Sequence, residues 1–236
     1  MIQEKRVRRL NSRPVSRGKY VLYWMQAAQR AEYNHALEYS IRTANKLKVP
    51  VVVLFGITDD YPEANLRHYH FMLKGLKEAK NALEQRGIKL VVKHKPPELA
   101  AADMAAKASI VIVDAGHTRV QQKWRRFVAG NIQCALEEVE TNLIVPVTEA
   151  SEKEDFSAGT FRPRILAKLK DYLVKLKHVK PLYGSLNMKF VGFDINDTGL
   201  VLSKLDIDRS VGPVKNFKGG TTEAKRSLKV FIRNKL

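Results

Sequence analysis

The sequence V-V-V-L-F-G-I, residues 51–57, is an uninterrupted run of apolar residues, four of which are β-branched. A strand that is buried on one face alternates apolar and polar residues, whereas a strand of a parallel sheet is covered on both faces and reads as a continuous apolar run. The run therefore predicts a central strand of a parallel sheet with helices on both of its sides.

Similar short apolar segments recur along the chain, and helical patterns separate them. The predicted strands are Lys19–Met25, Val51–Ile57, Leu90–Val92, Ile110–Val113 and Leu143–Val147. The predicted helices cover residues 33–47, 66–86, 97–107 and 120–138. Parallel strands joined by helices require right-handed crossovers. The sequence thus predicts an α/β fold, a doubly wound five-stranded parallel sheet.

The segments that flank this predicted domain are basic. The chain has 236 residues and a net charge of +18, of which residues 21–150 contribute only +3. We predict an irregular basic arm over residues 1–18 and a basic amphipathic helix over residues 162–180. The arm is either a solvated tail or a phosphate-contacting segment, and the helix lies on a membrane, on an acidic partner or on its own domain. The candidate nucleic-acid contacts are Arg13, Arg17, Arg162, Arg164 and Lys168.

The composition argues against several classes of site. The single cysteine, Cys134, excludes an internal disulfide and a zinc site built from several thiolates. His68 and His70 are two residues apart in a predicted helix, so they point to different faces and cannot bind one metal ion together. We predict no catalytic and no metal-binding residues. No apolar run is long enough to cross a membrane, and residues 1–20 are too polar for a secretory signal, so we expect a soluble cytoplasmic protein with no membrane partner.

Ligands of such sheets bind at the carboxyl ends of the strands. Neither a G-x-G-x-x-G motif nor a P-loop occurs there, which argues against dinucleotide dehydrogenases and P-loop enzymes. Aromatic, thioether and amide groups are present instead, and they suit a flat chromophore or a nucleotide ring. The candidate pocket residues are Met25, Gln26, Phe55, Gly56 and Asp114. For Phe55, packing in the core is an equally good explanation.

The remainder of the chain is predicted to be a linker and a final helix. Residues 151–220 combine the basic helix with a turn-rich segment that we expect to cross a surface. Residues 221–236 predict a helix with Thr221 or Thr222 as its N-cap and with an apolar stripe that includes Leu228, Phe231 and Ile232. The predicted organisation is thus an arm (1–18), an α/β domain (19–150), a linker (151–220) and a terminal helix (221–236).

Several motifs recur in order along the whole chain. They are V-L-Y-W-M-Q at residues 21–26, L-R-H-Y-H-F-M-L-K-G-L at 66–76, Q-K-W-R at 122–125, V-P-V-T-E-A-S-E-K-E-D-F-S-A-G-T-F-R-P-R-I at 145–165, and V-G-P-V-K-N-F-K-G-G at 211–220. This series resembles the class II cyclobutane pyrimidine dimer photolyases. The stretch at residues 145–165 resembles the point where their N-terminal antenna domain passes into the linker.

The resemblance implies an antenna domain that holds 8-hydroxy-deazaflavin, FMN or methenyltetrahydrofolate. In such enzymes this chromophore passes excitation energy to FAD, which splits the pyrimidine dimer in DNA. The family's helical FAD-binding domain has no counterpart here beyond its first helix, residues 221–236. We therefore expect no bound FAD and no repair by this chain alone, and a separate FAD-binding domain is a candidate partner.

Two other functions fit the residues. One is a stand-alone nucleotide-binding α/β protein without photochemistry, which predicts binding of adenine nucleotides and no affinity for flavin or deazaflavin. The other is a structural DNA-binding module that uses the basic arm and the basic helix, which predicts DNA binding with an empty α/β pocket.

Overall fold

The structure is a computed structural model that describes residues 2–236, and it contains a six-stranded sheet with helices on both faces. The strands are β1 (Val7–Arg9), β2 (Tyr20–Trp24), β3 (Val51–Ile57), β4 (Lys89–His94), β5 (Ala108–Asp114) and β6 (Ala135–Val139). The helices are α1 (His35–Leu47), α2 (Leu66–Gln85), α3 (Pro97–Ala105), α4 (Arg119–Asn131), α5 (Val147–Ala150), α6 (Ala158–Tyr172), α7 (Thr198–Ser203) and α8 (Thr221–Lys235).

The strand order is β1-β6-β5-β2-β3-β4, and all neighbours are parallel except β1 and β6. The order reverses between β2 and β5, as a doubly wound sheet requires. All residues of β2, β3 and β5 are buried, which is why these strands read as continuous apolar runs. The predicted doubly wound α/β class is confirmed, with six strands in place of five.

The two faces of the sheet carry separate hydrophobic clusters. One contains Leu37 of α1 and Leu73 of α2, and the other contains Met104 of α3 and Val128 of α4. Helices α1 and α2 therefore cover one face and α3 and α4 cover the other. This arrangement leaves the carboxyl ends of the parallel strands accessible between the two helix layers.

The basic arm is more ordered than the sequence predicts. A short 3-10 turn, Glu4–Arg6, leads into β1, which pairs with β6. The guanidinium of Arg6 is buried and donates to the carbonyl oxygens of Glu140, Leu143 and Ile144. The prediction of an irregular segment over residues 1–18 is therefore wrong for residues 4–9, because a buried arginine and a strand pairing attach them to the domain.

Two predicted elements after β5 are also wrong. The predicted helix over residues 120–138 ends at Asn131, and Ala135–Val139 forms β6 instead. The predicted strand Leu143–Val147 is absent: residues 143–146 are irregular, and Val147 begins α5. The backbone carbonyl oxygens of Leu143 and Ile144 accept from the Arg6 guanidinium and not from a neighbouring strand.

The linker partly joins the core. The predicted basic helix over residues 162–180 instead spans Ala158–Tyr172. Ile195, Val201 and Leu202 are buried in the cluster beneath α2, so the turn-rich segment contributes to the core and does not only cross a surface. The side chain of Glu38, 1% exposed, binds Arg86 and accepts from the backbone N–H of Val179, which fixes the linker to α1 and α2.

Helix α8 has no buried residue, and its N-cap is Gly220, not Thr221 or Thr222 as predicted. Leu228, Phe231 and Ile232 are more than half exposed. Within residues 2–236 no helix is both long and apolar enough to cross a membrane. The same residues contain no cluster of His, Cys, Asp and Glu with the arrangement of a metal site.

Candidate functional site

A cavity of about 490 Å³ opens at the carboxyl end of β3, between the two helix layers. Its wall is formed by the end of β3, the turn that follows β2, the loop before α2, helix α2, the first residue of α3, helix α4 and the first turn of α8. Its volume lies in the range of small-molecule pockets, roughly 300–1,000 Å³. The lining residues include Gln26, Gln29, Phe55, Gly56, Tyr61, His68, Met72, Pro97, Gln121, Trp124, Thr221 and Ala224.

Several aromatic side chains line the cavity. The rings of Tyr61 and Trp124 meet edge to face, with centroids 6.0 Å apart, and Phe55 forms part of the floor. At Gly56, a Cβ atom would lie 2.7 Å from the Cα of Pro97, so only glycine lets the start of α3 approach β3 this closely. Aromatic side chains in the lining can pack against the ring system of a ligand.

The polar groups of the cavity include three side-chain amides, those of Gln26, Gln29 and Gln121. Gln26 is 8% exposed, and within residues 2–236 its Nε2 has no hydrogen-bond partner. Its neighbour Gln29 donates to the Gln26 carbonyl oxygen at 3.1 Å, and Gln121 accepts from Thr118. A buried donor without a partner is costly, so Gln26 offers a hydrogen bond to an acceptor on a ligand.

The Gln26 turn is held in place by Asp114, at the end of β5. Its carboxylate accepts from the backbone N–H groups of Gln26, Ala27 and Ala28 at 2.9, 2.5 and 2.8 Å, and from the Tyr23 hydroxyl at 3.0 Å. Burial raises the pKa of Asp114 above its ordinary value, while these four donors act in the opposite direction. The carboxylate thus fixes the turn that follows β2.

The cavity has few charged groups. Arg30 lies at its margin, but its guanidinium donates to Asn142 and to the carbonyl oxygens of Tyr33 and Thr141. The Nδ1 of His68 accepts from the backbone N–H of Asn65 at the start of α2. An uncharged ring system therefore matches the lining.

The structure brings together three of the five predicted pocket residues. Gln26, Phe55 and Gly56 line the cavity. Met25 is fully buried in the cluster beneath α1 and α2, and Asp114 is fully buried behind the Gln26 turn, so neither forms part of the wall. The binding roles of Gln26, Phe55 and Gly56 stay predictions.

Sequence reasoning missed several lining residues, among them Tyr61, His68, Thr221 and Ala224. The rule that ligands meet the ends of strands points to residues at those ends. It does not reveal a wall contributed by helix α8, which lies far away in sequence.

The chain matches the DNA photolyase family over residues 21–182. It belongs to that family. It is 42% identical to the deoxyribodipyrimidine photo-lyase of Methanothermobacter thermautotrophicus, over 100% of this chain and 52% of that protein. It is 29% identical to the deoxyribodipyrimidine photo-lyase of Potorous tridactylus, over 91% of this chain and 41% of that protein. The photolyase-family chain thus spans about half the length of these relatives.

Solved structures share the fold of this photolyase-family chain. An archaeal photolyase from Sulfolobus tokodaii superimposes with a TM-score of 0.65 at 18% identity, covering 88% of this chain and 45% of that one. That photolyase was solved with two FAD molecules, with the implication of a novel light-harvesting cofactor. A cryptochrome from Synechocystis superimposes with a TM-score of 0.62 at 14% identity, covering 90% of this chain and 46% of the other.

The predicted nucleic-acid contacts of the photolyase-family chain do not form one surface. Arg13 and Arg17 lie near the amino ends of β5 and β6, where the carbonyl oxygen of Pro14 accepts from Ala135 N–H. Arg162 is on α6, which packs on α5 beyond the opposite end of β6. All three arginines are exposed, and their side chains form no ion pair within residues 2–236.

The other two predicted contacts of this photolyase-family chain are engaged in contacts within the protein. Arg164 donates to the Ser151 hydroxyl at 2.7 Å and lies 3.5 Å from Asp155. Lys168 donates to the carbonyl oxygen of Glu149. A phosphate would have to compete with these partners, so Arg164 and Lys168 are less available than the three free arginines.

Proposed function

We propose that this chain is the chromophore-binding, N-terminal half of a class II photolyase that repairs cyclobutane pyrimidine dimers in DNA. The observation that carries the proposal is the cavity at the end of β3, in a chain of the DNA photolyase family. Its aromatic lining residues and the unpartnered amide of Gln26 fit a planar chromophore that has a carbonyl or ring-nitrogen acceptor.

A chromophore bound there would absorb light and supply excitation energy to the flavin of the repair reaction. The residues of this chain would bind and orient the chromophore. Tyr61 and Trp124 would pack against the ring system, and Gln26 would donate to its edge. Asp114 would keep Gln26 aimed at the cavity through the backbone of the turn. The candidate chromophores are 8-hydroxy-deazaflavin, FMN and methenyltetrahydrofolate, and the Sulfolobus tokodaii structure adds FAD to them.

The class II assignment rests on the motifs at residues 21–26, 66–76 and 145–165. The match to the DNA photolyase family does not distinguish class II from the other classes of that family. The enzyme activity belongs to the longer protein, since the curated relatives extend well beyond the region that this chain matches. A light-dependent assay of dimer repair by a full-length protein that carries this sequence tests the activity directly.

A helical FAD-binding domain is the partner that we propose for α8. Leu228, Phe231 and Ile232 form an exposed apolar stripe, and burying such a stripe is favourable by about 25 cal/mol per Å² of apolar surface. The relatives have enough additional length to supply a covering domain. The alternative of a stand-alone nucleotide-binding protein is not favoured by the family match over residues 21–182.

The proposal is tested by absorption and fluorescence titration of the purified chain with the four chromophores and with ATP. We expect one chromophore to bind with one-to-one stoichiometry. The variant Gln26→Leu should bind it about 3–10-fold more weakly, because a neutral hydrogen bond contributes about 0.5–1.5 kcal/mol.

Gln133→Leu is the matched control, since Gln133 is exposed and lies outside the cavity, and its affinity should equal that of the wild type. Binding of ATP and of no chromophore, weakened by Gln26→Leu, would move the chain to the nucleotide-binding alternative. An affinity that Gln26→Leu leaves unchanged would remove Gln26 from the site.

A further inference from the structure

A second cavity, of about 470 Å³, lies at the antiparallel edge of the sheet, between β1, α4 and the start of α5. It shares no lining residue with the cavity at the end of β3. Its charged wall consists mainly of Lys5, Arg8, His117, Arg126, Glu138 and Glu140. We call this cavity the β1–α4 cleft.

Glu140 is the unusual residue of the β1–α4 cleft. It is 7% exposed, and its Oε2 lies 2.9 Å from Nε2 of His117. Its Oε1 is buried and has no hydrogen-bond partner within residues 2–236. A buried carboxylate oxygen without a hydrogen-bond donor is destabilising, so a bound molecule that donates to this atom would be stabilised.

The cations of the cleft divide into paired and available groups. Arg8 and Arg125 both bind the carboxylate of Glu138, at 2.8 and 2.5 Å, so both guanidinium groups already have a partner. Arg126 is exposed on α4 and forms no ion pair or side-chain hydrogen bond among the described residues. Lys5 has only a loose contact with Glu149, at 3.7 Å. The cleft thus offers Arg126 and Lys5 to an anion.

The combination selects a chemical class. Guanidinium and ammonium groups bind phosphate, and a carboxylate oxygen accepts from hydroxyl groups. An inorganic anion would not donate a hydrogen bond to Glu140, and the arginines of the cleft would repel a polyamine. We propose that the β1–α4 cleft binds a small phosphate ester that also carries hydroxyl groups, of the nucleoside phosphate or sugar phosphate type. Arg126 and Lys5 bind the phosphate, and Glu140 accepts from a hydroxyl. This site does not depend on the proposed chromophore site.

Calorimetric titration of the whole chain with ADP, AMP, ribose 5-phosphate and inorganic phosphate at low ionic strength tests the proposal. We expect saturable binding of ribose 5-phosphate or of a nucleotide, tighter than that of inorganic phosphate. A preference for nucleotides over ribose 5-phosphate identifies a nucleoside phosphate, and equal affinity identifies a sugar phosphate. Arg126→Ala should weaken binding about tenfold or more, since it removes a charge-assisted contact.

Lys123→Ala is the matched control, because Lys123 is exposed on the same helix and lies outside the cleft. It should bind the ester as the wild type does. Since Arg126 makes no contact that supports the fold, Arg126→Ala is expected to fold normally, as circular dichroism would show.

Glu140→Gln separates recognition of a hydroxyl from simple electrostatics. If Glu140 accepts from a hydroxyl, the variant should bind ribose 5-phosphate more weakly and inorganic phosphate more tightly, because a repelling charge is removed. Tighter binding of both ligands would overturn the role of Glu140. The absence of saturable binding, or equal losses in Arg126→Ala and Lys123→Ala, would overturn the proposed site as a whole.

Discussion

Asp114 is a buried acid whose contribution is to hold the turn that carries Gln26. One carboxylate accepts from three backbone N–H groups and from the Tyr23 hydroxyl. An asparagine at this position has only one acceptor oxygen, and its NH₂ group would face N–H donors. We expect Asp114→Asn to lower the free energy of unfolding by about 2–4 kcal/mol, because each buried donor left unpaired costs about 1–3 kcal/mol.

Urea denaturation at pH 7 measures this loss. Asp103→Asn is the control, because the Asp103 carboxylate forms an exposed ion pair with Lys95. Exposed ion pairs contribute about 0–1 kcal/mol, so the control should stay close to the wild type. Equal losses in the two variants would show that the buried hydrogen bonds of Asp114 contribute little.

His35, the first residue of α1, makes stability depend on pH. Burial, followed by the positive charges of Arg6 and Arg30, lowers its pKa to about 4. The ordinary value in an unfolded chain is about 6.5. The folded state therefore holds the neutral imidazole, and its stability is fully present above pH 6.5. It is lost as the pH falls from 6.5 towards 4, because only the unfolded chain then takes up the proton.

At pH 5 this loss should be at most about 2 kcal/mol, from about 1.4 kcal/mol for each pKa unit that separates the two states, and the partial exposure of His35 reduces it. His35→Gln removes the titrating group. The difference in unfolding free energy between pH 7.5 and pH 5 should thus be smaller in the variant than in the wild type. The same difference in both proteins would mean that other groups control the acid limb.

At the residue scale, the sequence predicts only those residues of the candidate site that lie at the carboxyl ends of strands. The rule that ligands meet the ends of strands locates Gln26, Phe55 and Gly56, which line the cavity. It also selects Met25 and Asp114, whose side chains turn into the core, and strand-end position alone cannot tell the two orientations apart. The four donors that bind Asp114 come from residues 23–28, on a different strand, so their arrangement follows from the folded sheet and not from local sequence.

The boundary between α4 and β6 shows at the element scale why some predictions fail. The strand A-L-E-E-V contains two adjacent glutamates, a composition that favours a helix. In the structure, Arg8 and Arg9 of β1 pair with Glu138 and Glu137 across the two strands. Arg8 and Arg9 lie in residues 1–18, the segment that the sequence predicts to be an irregular arm. Long, continuous apolar runs such as β3 need no distant partner to be recognised, and they were predicted correctly.

Helix α8 forms part of the cavity wall but contributes little to the stability of the fold. It buries no residue, and it is attached at its first turns, where Thr222 N–H donates to Glu78 and Lys225 pairs with Glu32 at 2.6 Å. Deletion of residues 221–236 should leave the melting temperature nearly unchanged. The deletion should weaken binding of the proposed chromophore, because Thr221 and Ala224 are lost from the cavity wall.

A deletion of residues 230–236 is the control, since it retains Thr221, Ala224 and the ion pair of Lys225. It should bind the chromophore as the full chain does. Thermal denaturation and the chromophore titration measure the two effects separately. A large fall in the melting temperature, or an unchanged affinity after the longer deletion, would contradict this account of α8.

At the scale of the whole molecule, the positive charge is concentrated outside a nearly neutral domain. Residues 21–150 carry +3 of the total of +18. The free arginines Arg13 and Arg17 lie near the amino ends of β5 and β6, whereas the cavity opens at the carboxyl end of β3. Neutralisation of phosphates by such side chains releases counterions, so the proposed binding to DNA should be independent of sequence and should weaken with salt.

Two arginines, Arg13 and Arg17, that each neutralise one phosphate predict a loss of affinity of roughly 12-fold between 50 and 200 mM salt, from a slope of about −0.9 per phosphate. The variant with Arg13→Gln and Arg17→Gln should lose most of that slope. The variant with Arg164→Gln and Lys168→Gln is the control, and it should lose less, because these side chains already bind Ser151 and Glu149. Fluorescence anisotropy with a labelled duplex across this salt range measures both slopes. If the control variant loses more of the slope than the variant with Arg13→Gln and Arg17→Gln does, the DNA lies along α6, and its phosphates displace the internal partners of Arg164 and Lys168.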